Sequence, residues 1–151
     1  MAESRAQRIR VVLTLAQRQE DTAAERLGQY RDQVRGEEEQ LAQLRDYAAQ
    51  YTQDYASQRQ GIYAHQLMNY SGFVARLGEL CREQEAKLKR MQLTLNKMQE
   101  QWRQCHQKRK SIEDLIERFK REDAVLLDKR LQKELDELTT QKFSRIPSRD
   151  E

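Results

Sequence analysis

The stretch LKRMQLTLNKMQEQWRQCHQKRKSIEDLIERFKREDAVL, residues 88–126, decides how this chain folds. Its apolar side chains recur at alternating steps of three and four residues, which are the a and d positions of a heptad repeat. Only Arg109 and Asp123 interrupt the series, and the stretch contains neither glycine nor proline. So narrow an apolar stripe is typical of a coiled-coil seam that a second helix must cover. The seam positions are Leu88, Met91, Leu95, Met98, Trp102, Cys105, Arg109, Ile112, Ile116, Phe119, Asp123 and Leu126.

The first half of the chain carries a second stripe with the same spacing, so we expect the covering helix in the same chain. Three of its positions are polar, and polar seam residues commonly fix register at a cost in stability. Two stripes of similar length, joined by a break, predict an all-α fold in which two long helices form an antiparallel coiled-coil hairpin. The second stripe comprises Ile9, Leu13, Ala16, Glu20, Ala23, Leu27, Tyr30, Val34, Glu37, Leu41, Leu44, Ala48, Tyr51, Tyr55, Gln58 and Ile62.

The turn of the hairpin is predicted where the stripe stops and capping residues appear. Asn69 and Ser71 are good helix N-caps, and Gly72 permits a turn. We therefore expect one hairpin over residues 1–151, with helix one at about 2–66, the tip at about 67–72, helix two at about 73–142 and a flexible tail at 143–151. Folding at this tip would bring Leu44 close to Leu95.

The start of helix two is predicted to follow a different frame from the main seam. Its first face carries Phe73, Leu77, Leu80 and Gln84. The distance from Leu77 to Leu88 is eleven residues, a heptad plus four, and such a stutter locally unwinds a supercoil. Beyond residue 126 the apolar positions shift again, to a face that helix one is too short to cover. Such an exposed apolar stripe is more often a docking surface than an accident. The shifted apolar positions are Leu127, Leu131, Leu135 and Leu138, and the last three are expected to form the exposed stripe.

The composition is typical of long helices and indicates where in the cell the protein is expected. Of 151 residues, 35% are charged and 37% are hydrophobic, with one proline and five glycines, which is the profile of a coiled coil. We expect a thin rod whose outer side chains stay in water. No apolar run approaches the roughly 20 residues that a bilayer span requires, and the N-terminus lacks the apolar core of a secretory signal. The expected location is the cytoplasm.

Basic residues are concentrated in the second half of the chain. Residues 1–66 contain nine Lys or Arg and ten Asp or Glu, whereas residues 67–151 contain nineteen and fifteen. A basic half could meet an acidic protein surface, anionic lipid or nucleic acid. Acidic side chains at spacings of three and four dilute the basic ones, which is typical of a solvated helix face rather than a phosphate-binding stripe.

The sequence shows no arrangement of residues that is typical of catalysis or metal binding. His65 and His106 are the two histidines, and His106 has no helically spaced second ligand. Cys105 is expected to be a small apolar seam residue, and Cys81 lies outside the predicted seam. The sequence contains no phosphate-binding glycine loop and no nucleophile pattern. We therefore expect no enzyme activity, no cofactor and no metal.

A set of residues lies around the predicted tip, namely Glu38, Glu39, Gln40, Leu41, Leu44, Asp46, Tyr47 and Tyr51, then Asn69, Tyr70, Phe73 and Leu77. In its order and spacing this set resembles the FliJ family, the small coiled-coil component of the flagellar type III export apparatus. The resemblance implies an antiparallel coiled coil similar to the central stalk, or γ subunit, of rotary ATPases. It also implies three partners: the export ATPase hexamer, the cytoplasmic domain of the export-gate protein, and export chaperones. The implied location is the flagellar base, peripheral to the inner membrane through protein partners.

Two binding surfaces follow from the resemblance and from the uncovered stripe. The first would face the export gate, although Leu44, Tyr51, Phe73 and Leu77 also fit buried seam positions; Tyr47 lies off the seam. The second would face the ATPase ring. The gate set is Gln40, Leu44, Tyr47, Tyr51, Phe73, Leu77, Leu80 and Gln84, and the ring set is Arg130, Leu131, Lys133, Leu135 and Leu138.

Three other functions remain open at the level of sequence. The equivalent stalk of a virulence-type secretion system shares the hairpin but less of the Tyr/Phe pattern. A coiled-coil nucleic-acid arm would use the basic residues of helix two, and a salt-dependent gel shift would separate it from a stalk. A free chaperone or scaffold would have no ATPase partner.

Overall fold

Two long α-helices packed against each other make up the computed structural model, which describes residues 4–57 and 64–145. Helix α1 runs over Arg5–Ser57 and is 53 residues long. Helix α2 runs over Ala64–Ser144 and is 81 residues long. No strand occurs in these two ranges. The predicted all-α hairpin of two helices is therefore confirmed.

Helix α1 begins with a reciprocal cap. The Gln7 backbone N–H donates to the Ser4 hydroxyl at 3.2 Å, and the Ser4 N–H donates to the Gln7 side-chain oxygen at 3.1 Å. This is a capping box, which satisfies two backbone donors that a helix start otherwise leaves unpaired. The cap explains why α1 begins at Arg5, close to the predicted start.

The helices form two compact units, Met1–Gln19 with Cys105–Glu151 and Glu20–Gln104. Each unit pairs a segment of α1 with a segment of α2, and the pairing is antiparallel in both. In the second unit Glu37 bonds to Gln84, whereas Tyr51 bonds to Tyr70. Residue numbers on α2 thus fall as those on α1 rise.

The predicted seam of α1 is confirmed for its residues within the described ranges. All fourteen positions from Ile9 to Tyr55 are buried or half-buried. Ala6 extends the stripe by one further step toward the start of the helix. Gln58 and Ile62 lie outside the described residues. The spacing of three and four residues therefore identifies the inner face of α1 at every described position.

Residues 67–72 lie inside α2, which differs from the predicted hairpin tip at that place. The chain leaves α1 after Ser57 and enters α2 at Ala64. Asn69, Ser71 and Gly72 are poor helix formers, but Leu67, Tyr70 and Val74 between and beyond them are half-buried at helical spacing. Packing of that face against α1 outweighs weak local propensity.

The register of the two helices also differs from the predicted one. Leu95 forms a buried cluster with Leu27 and Val34. Leu44, its predicted neighbour, instead lines a groove with Leu80 and Gln84. The prediction that Leu44 meets Leu95 is therefore wrong, although the antiparallel arrangement on which it was based is correct.

The inner face at the start of α2 contains Cys81 rather than Leu80. Leu77 and Leu88 are joined on this face by Cys81 and Gln84, and all four are buried or half-buried. The steps are then four, three and four residues, so the heptad is continuous and the predicted stutter is absent from this stretch. Leu80 is exposed because it lies one residue off the face.

The seam ends at Asp123 rather than at the predicted Leu126, which is exposed. The Arg5 guanidinium lies 4.4 Å from the centre of the Phe119 ring and bonds to Glu122 at 3.1 Å. Helix α1 starts at this point, so its residues cannot cover the α2 residues that follow. From Ala124 to Arg145 every residue is exposed.

Candidate interaction surfaces

Three aromatic rings from the predicted gate set meet between α1 and α2 in the unit Glu20–Gln104. The Tyr51 and Phe73 ring centres are 4.6 Å apart, and Tyr47 lies 6.5 Å from Phe73 in an edge-on arrangement. Rings at these distances attract each other beyond the burial of their area. Tyr47 is still 50% exposed, so a large aromatic face is open to a partner.

Two further tyrosines, which the predicted gate set omits, extend this cluster along the inner face. Tyr70 stacks on Tyr51 and on Tyr55 with ring centres 4.7 Å apart in both pairs. Its hydroxyl donates to the Tyr51 carbonyl oxygen. Desolvation, together with the nearby Asp54 carboxylate, raises the pKa of Tyr70. We call Tyr47, Tyr51, Tyr55, Tyr70 and Phe73 the aromatic cluster.

The remaining gate residues divide into core and surface. Leu77 is buried and belongs to the core, whereas Gln40 and Leu80 are exposed. Leu44 and Gln84 are half-buried and line one groove together with Leu80. The structure thus brings most of the predicted set onto neighbouring parts of one unit and assigns Leu77 to packing.

Gln84 is held by a polar network at a seam position. Its amide nitrogen donates to the Glu37 carbonyl oxygen at 3.1 Å and to the Glu37 carboxylate. The Lys87 ammonium donates to the other oxygen of that carboxylate at 2.9 Å. The Gln84 hydrogen bond, followed by that of Lys87, lowers the pKa of Glu37 below its ordinary value of 4.5. Glu37 therefore stays charged within the seam because both its carboxylate oxygens are satisfied.

The predicted ring set lies on the part of α2 that α1 does not cover. Leu131, Leu135 and Leu138 are 50%, 63% and 62% exposed. Arg130 and Lys133 are exposed beside them. We call Leu127, Leu131, Leu135 and Leu138 the distal stripe, because their spacing of four, four and three residues places them on one helix face. Contiguous exposed apolar patches on proteins commonly mark interaction sites.

The described residues show no feature that points to metal chemistry or to a membrane span. No group of three or more His, Cys, Asp or Glu within residues 4–57 and 64–145 could hold a metal ion. Cys81 and Cys105 are both free and half-buried on the inner face. Neither described helix has a stretch long and apolar enough to cross a membrane.

Comparison with known families gives a match that covers nearly the whole chain. The model of the family described as "Flagellar FliJ protein" matches residues 5–148. No curated protein and no solved structure gives a significant match. A match of this extent includes α1, α2, the aromatic cluster and the distal stripe. The chain belongs to the FliJ family of flagellar proteins.

Proposed function

We propose that this chain is a stalk-like component of the flagellar type III export apparatus that promotes ring assembly and activity of the export ATPase and links the ring to the export gate. Membership of the FliJ family makes it an export-apparatus component. The observation that carries the finer proposal is the distal stripe, because it leaves a continuous apolar helix face without a partner in residues 124–145.

The distal stripe suits contact with a ring of protein subunits. Three leucines at least half exposed supply apolar area, and Arg130 and Lys133 supply positive charge beside it. Burial of a leucine side chain is worth about 2 kcal/mol, so three of them could support a stable contact. The flanking cations would speed encounter with an acidic subunit surface and make it dependent on salt.

The aromatic cluster suits a second contact, with the cytoplasmic domain of the export gate. Tyr47 and Phe73 present their rings at the surface while Tyr51 and Tyr70 hold them from the inner face. Aromatic side chains that pack against buried neighbours are typical of the residues that contribute most to the binding energy of protein interfaces. In this proposal α2 carries part of both contacts, and export chaperones are a third class of partner.

The ring contact is tested with the purified chain and the export ATPase. Replacing Leu131, Leu135 and Leu138 together by serine should abolish ring formation and stimulation of ATP hydrolysis, and truncation after residue 126 should do the same. Leu93→Ser is the matched control, because Leu93 is an equally exposed leucine elsewhere on α2. Normal stimulation by the triple variant or by the truncated chain would reject the ring contact.

The gate contact is tested independently of the ring. Tyr47→Ala should weaken binding to the cytoplasmic domain of the gate protein at least about tenfold, which is the cost expected for losing one aromatic anchor. Helix content should not change, since half of the Tyr47 side chain already faces water. Val11→Ala, at another exposed apolar position, should bind normally. Unchanged affinity of the Tyr47 variant would remove this residue from the contact.

A further inference from the structure

An open groove lies along one side of the seam in the unit Glu20–Gln104, and the two surfaces described above do not include it. Its volume is about 500 Å³. Leu27 is buried and Trp102 is half-buried at its base, so the floor is apolar. The lining residues are Ala24, Leu27, Gly28, Arg31, Gln99, Trp102 and Arg103.

The groove is open because α1 has two small residues where larger ones would cover the seam. Ala24 and Gly28 are one helical turn apart and therefore share a face. A Cβ atom added to Gly28 would meet nothing within 4 Å. At the heptad position equivalent to Ala24, Arg45 instead reaches across to Glu85 at 2.7 Å. No such bridge is possible at Ala24, and the Trp102 ring stays accessible from this side.

Both charged residues that line the groove are arginines. Arg103 has Glu100 at 4.0 Å, but both side chains are more than half exposed, and such a pair contributes little and is readily screened. Arg31 is exposed on the opposite helix. A guanidinium binds a carboxylate through two parallel hydrogen bonds. The groove thus combines an apolar floor with a cation from each helix.

We propose that this groove binds an acidic amphipathic helix of a partner protein, which places a large apolar side chain against Trp102 and pairs its carboxylates with Arg31 and Arg103. A third helix fits between two packed helices because its side-chain ridges enter the groove between them. The small residues at Ala24 and Gly28 allow that helix to approach closely. Tryptophan and arginine are also the residues most enriched where interface energy is concentrated.

Charge and shape favour a peptide over a nucleic acid as the occupant. A strand of nucleic acid would need a row of cations that follows its phosphates. The groove offers two arginines, and Asp32 and Glu100 are exposed close by in sequence. The carboxylates of a peptide helix do not need a row of cations, since each carboxylate can pair with a single guanidinium.

The test uses the fluorescence of Trp102, the single tryptophan of the chain. The probe is a synthetic amphipathic peptide of about 18 residues, or five helical turns, with leucine and phenylalanine on one face and glutamate along both edges. Its control carries lysine at every glutamate. We expect the acidic peptide to cause a saturable blue shift of Trp102 emission, because it would exclude water from the ring, and we expect no saturation with the basic peptide.

Two matched pairs of variants locate the binding site. Gly28→Met fills the groove and should weaken binding at least about tenfold, whereas Gly36→Met, at another glycine with open space, should not. Arg31→Glu should also weaken binding at least about tenfold. Arg26→Glu, the same substitution at an exposed arginine outside the groove, should not. Circular dichroism checks folding, and if Gly28→Met does not fold, the arginine pair decides.

Three results would overturn the proposal. They are equal binding of the acidic and basic peptides, equal affinity of Arg31→Glu and Arg26→Glu, and a stronger Trp102 response to a single-stranded oligonucleotide than to the acidic peptide. Ring and gate binding use other residues, so failure of this test leaves the proposed stalk function standing.

Discussion

Helix α2 carries two apolar stripes that look alike in sequence and differ in what covers them. Leu77, Leu95 and Ile116 recur at heptad-type positions and are buried. The distal stripe has similar residues and similar spacing, but its leucines are at least half exposed. The difference lies in α1, which begins at Arg5 and contacts α2 at Phe119 and Glu122.

An apolar stripe therefore indicates that a helix needs a partner, but it does not say where the partner is. In the covered part of α2 the partner is α1. In residues 124–145 the stripe costs solvation free energy that a partner would recover, at about 25 cal/mol for each Å² of apolar area. The covered stripe should hence govern folding, and the open stripe should govern association.

The same Leu→Ala change in the two stripes should have very different effects on folding. Leu95→Ala removes a buried side chain from the cluster with Leu27 and Val34 and should lower the free energy of unfolding by about 2–4 kcal/mol. Leu131→Ala should change it by less than about 0.5 kcal/mol, because the side chain is already in water. Urea titration followed by circular dichroism measures both. Equal losses would show that the distal stripe is covered in solution.

Within the aromatic cluster, replacing an inner tyrosine should lower the free energy of unfolding more than replacing an outer one. Tyr51 contacts the rings of Tyr47, Tyr70 and Phe73, so Tyr51→Ala should lower the free energy of unfolding by about 2 kcal/mol. Tyr47→Ala should cost about 0.5 kcal/mol and act mainly on partner binding. The same urea titration compares the two variants. A larger stability loss for Tyr47 would make it a folding residue and weaken its assignment to the gate contact.

The helices and the inner face of α1 were predictable from the sequence because the signal for them is local. Positions from Ile9 to Tyr55 follow one spacing without a break, and each polar member, such as Glu37, still lies on the inner face. The exposure of Leu131, Leu135 and Leu138 was also predictable, since their apolar positions shift to a face beyond residue 126 that helix one is too short to cover.

The helical state of residues 67–72 and the register of the two helices were not predictable, because they depend on packing between residues far apart in sequence. Asn69 and Gly72 favour a turn by themselves, but the ring contacts of Tyr70 with Tyr51 and Tyr55 keep them in a helix. Which residues of the predicted gate set are exposed was not predictable for the same reason. Leu77 and Tyr47 are both large and apolar or aromatic, and only their burial separates a core residue from a surface one.

A glycine placed in each part of the molecule should test whether coverage protects a helix. Gln132 and Gln43 are exposed helical residues, the first in the uncovered segment and the second in α1. A Gln→Gly change costs about 1 kcal/mol of helix stability at either place. Gln132→Gly should speed amide hydrogen exchange in residues 124–145 and leave the urea midpoint unchanged, because that segment opens locally. Gln43→Gly should lower the midpoint, since α1 unfolds together with its partner.

The Glu37 network should make a small, pH-dependent contribution within the covered stripe. Hydrogen bonds from Gln84 and Lys87 lower the pKa of Glu37 below 4.5, so the native state favours its charged form. A lowered carboxyl pKa adds stability that is fully present above the unfolded-state pKa and is lost as the pH falls through the folded value. The difference in urea midpoint between the native protein and Glu37→Gln should thus be largest near pH 7 and shrink as the pH falls below about 4.5. Glu38→Gln, one residue away and exposed, should shift the midpoint little at either pH. A Glu37→Gln difference that is constant from pH 7 to pH 3 would mean that Glu37 acts through packing alone and that its charge does not stabilise the seam.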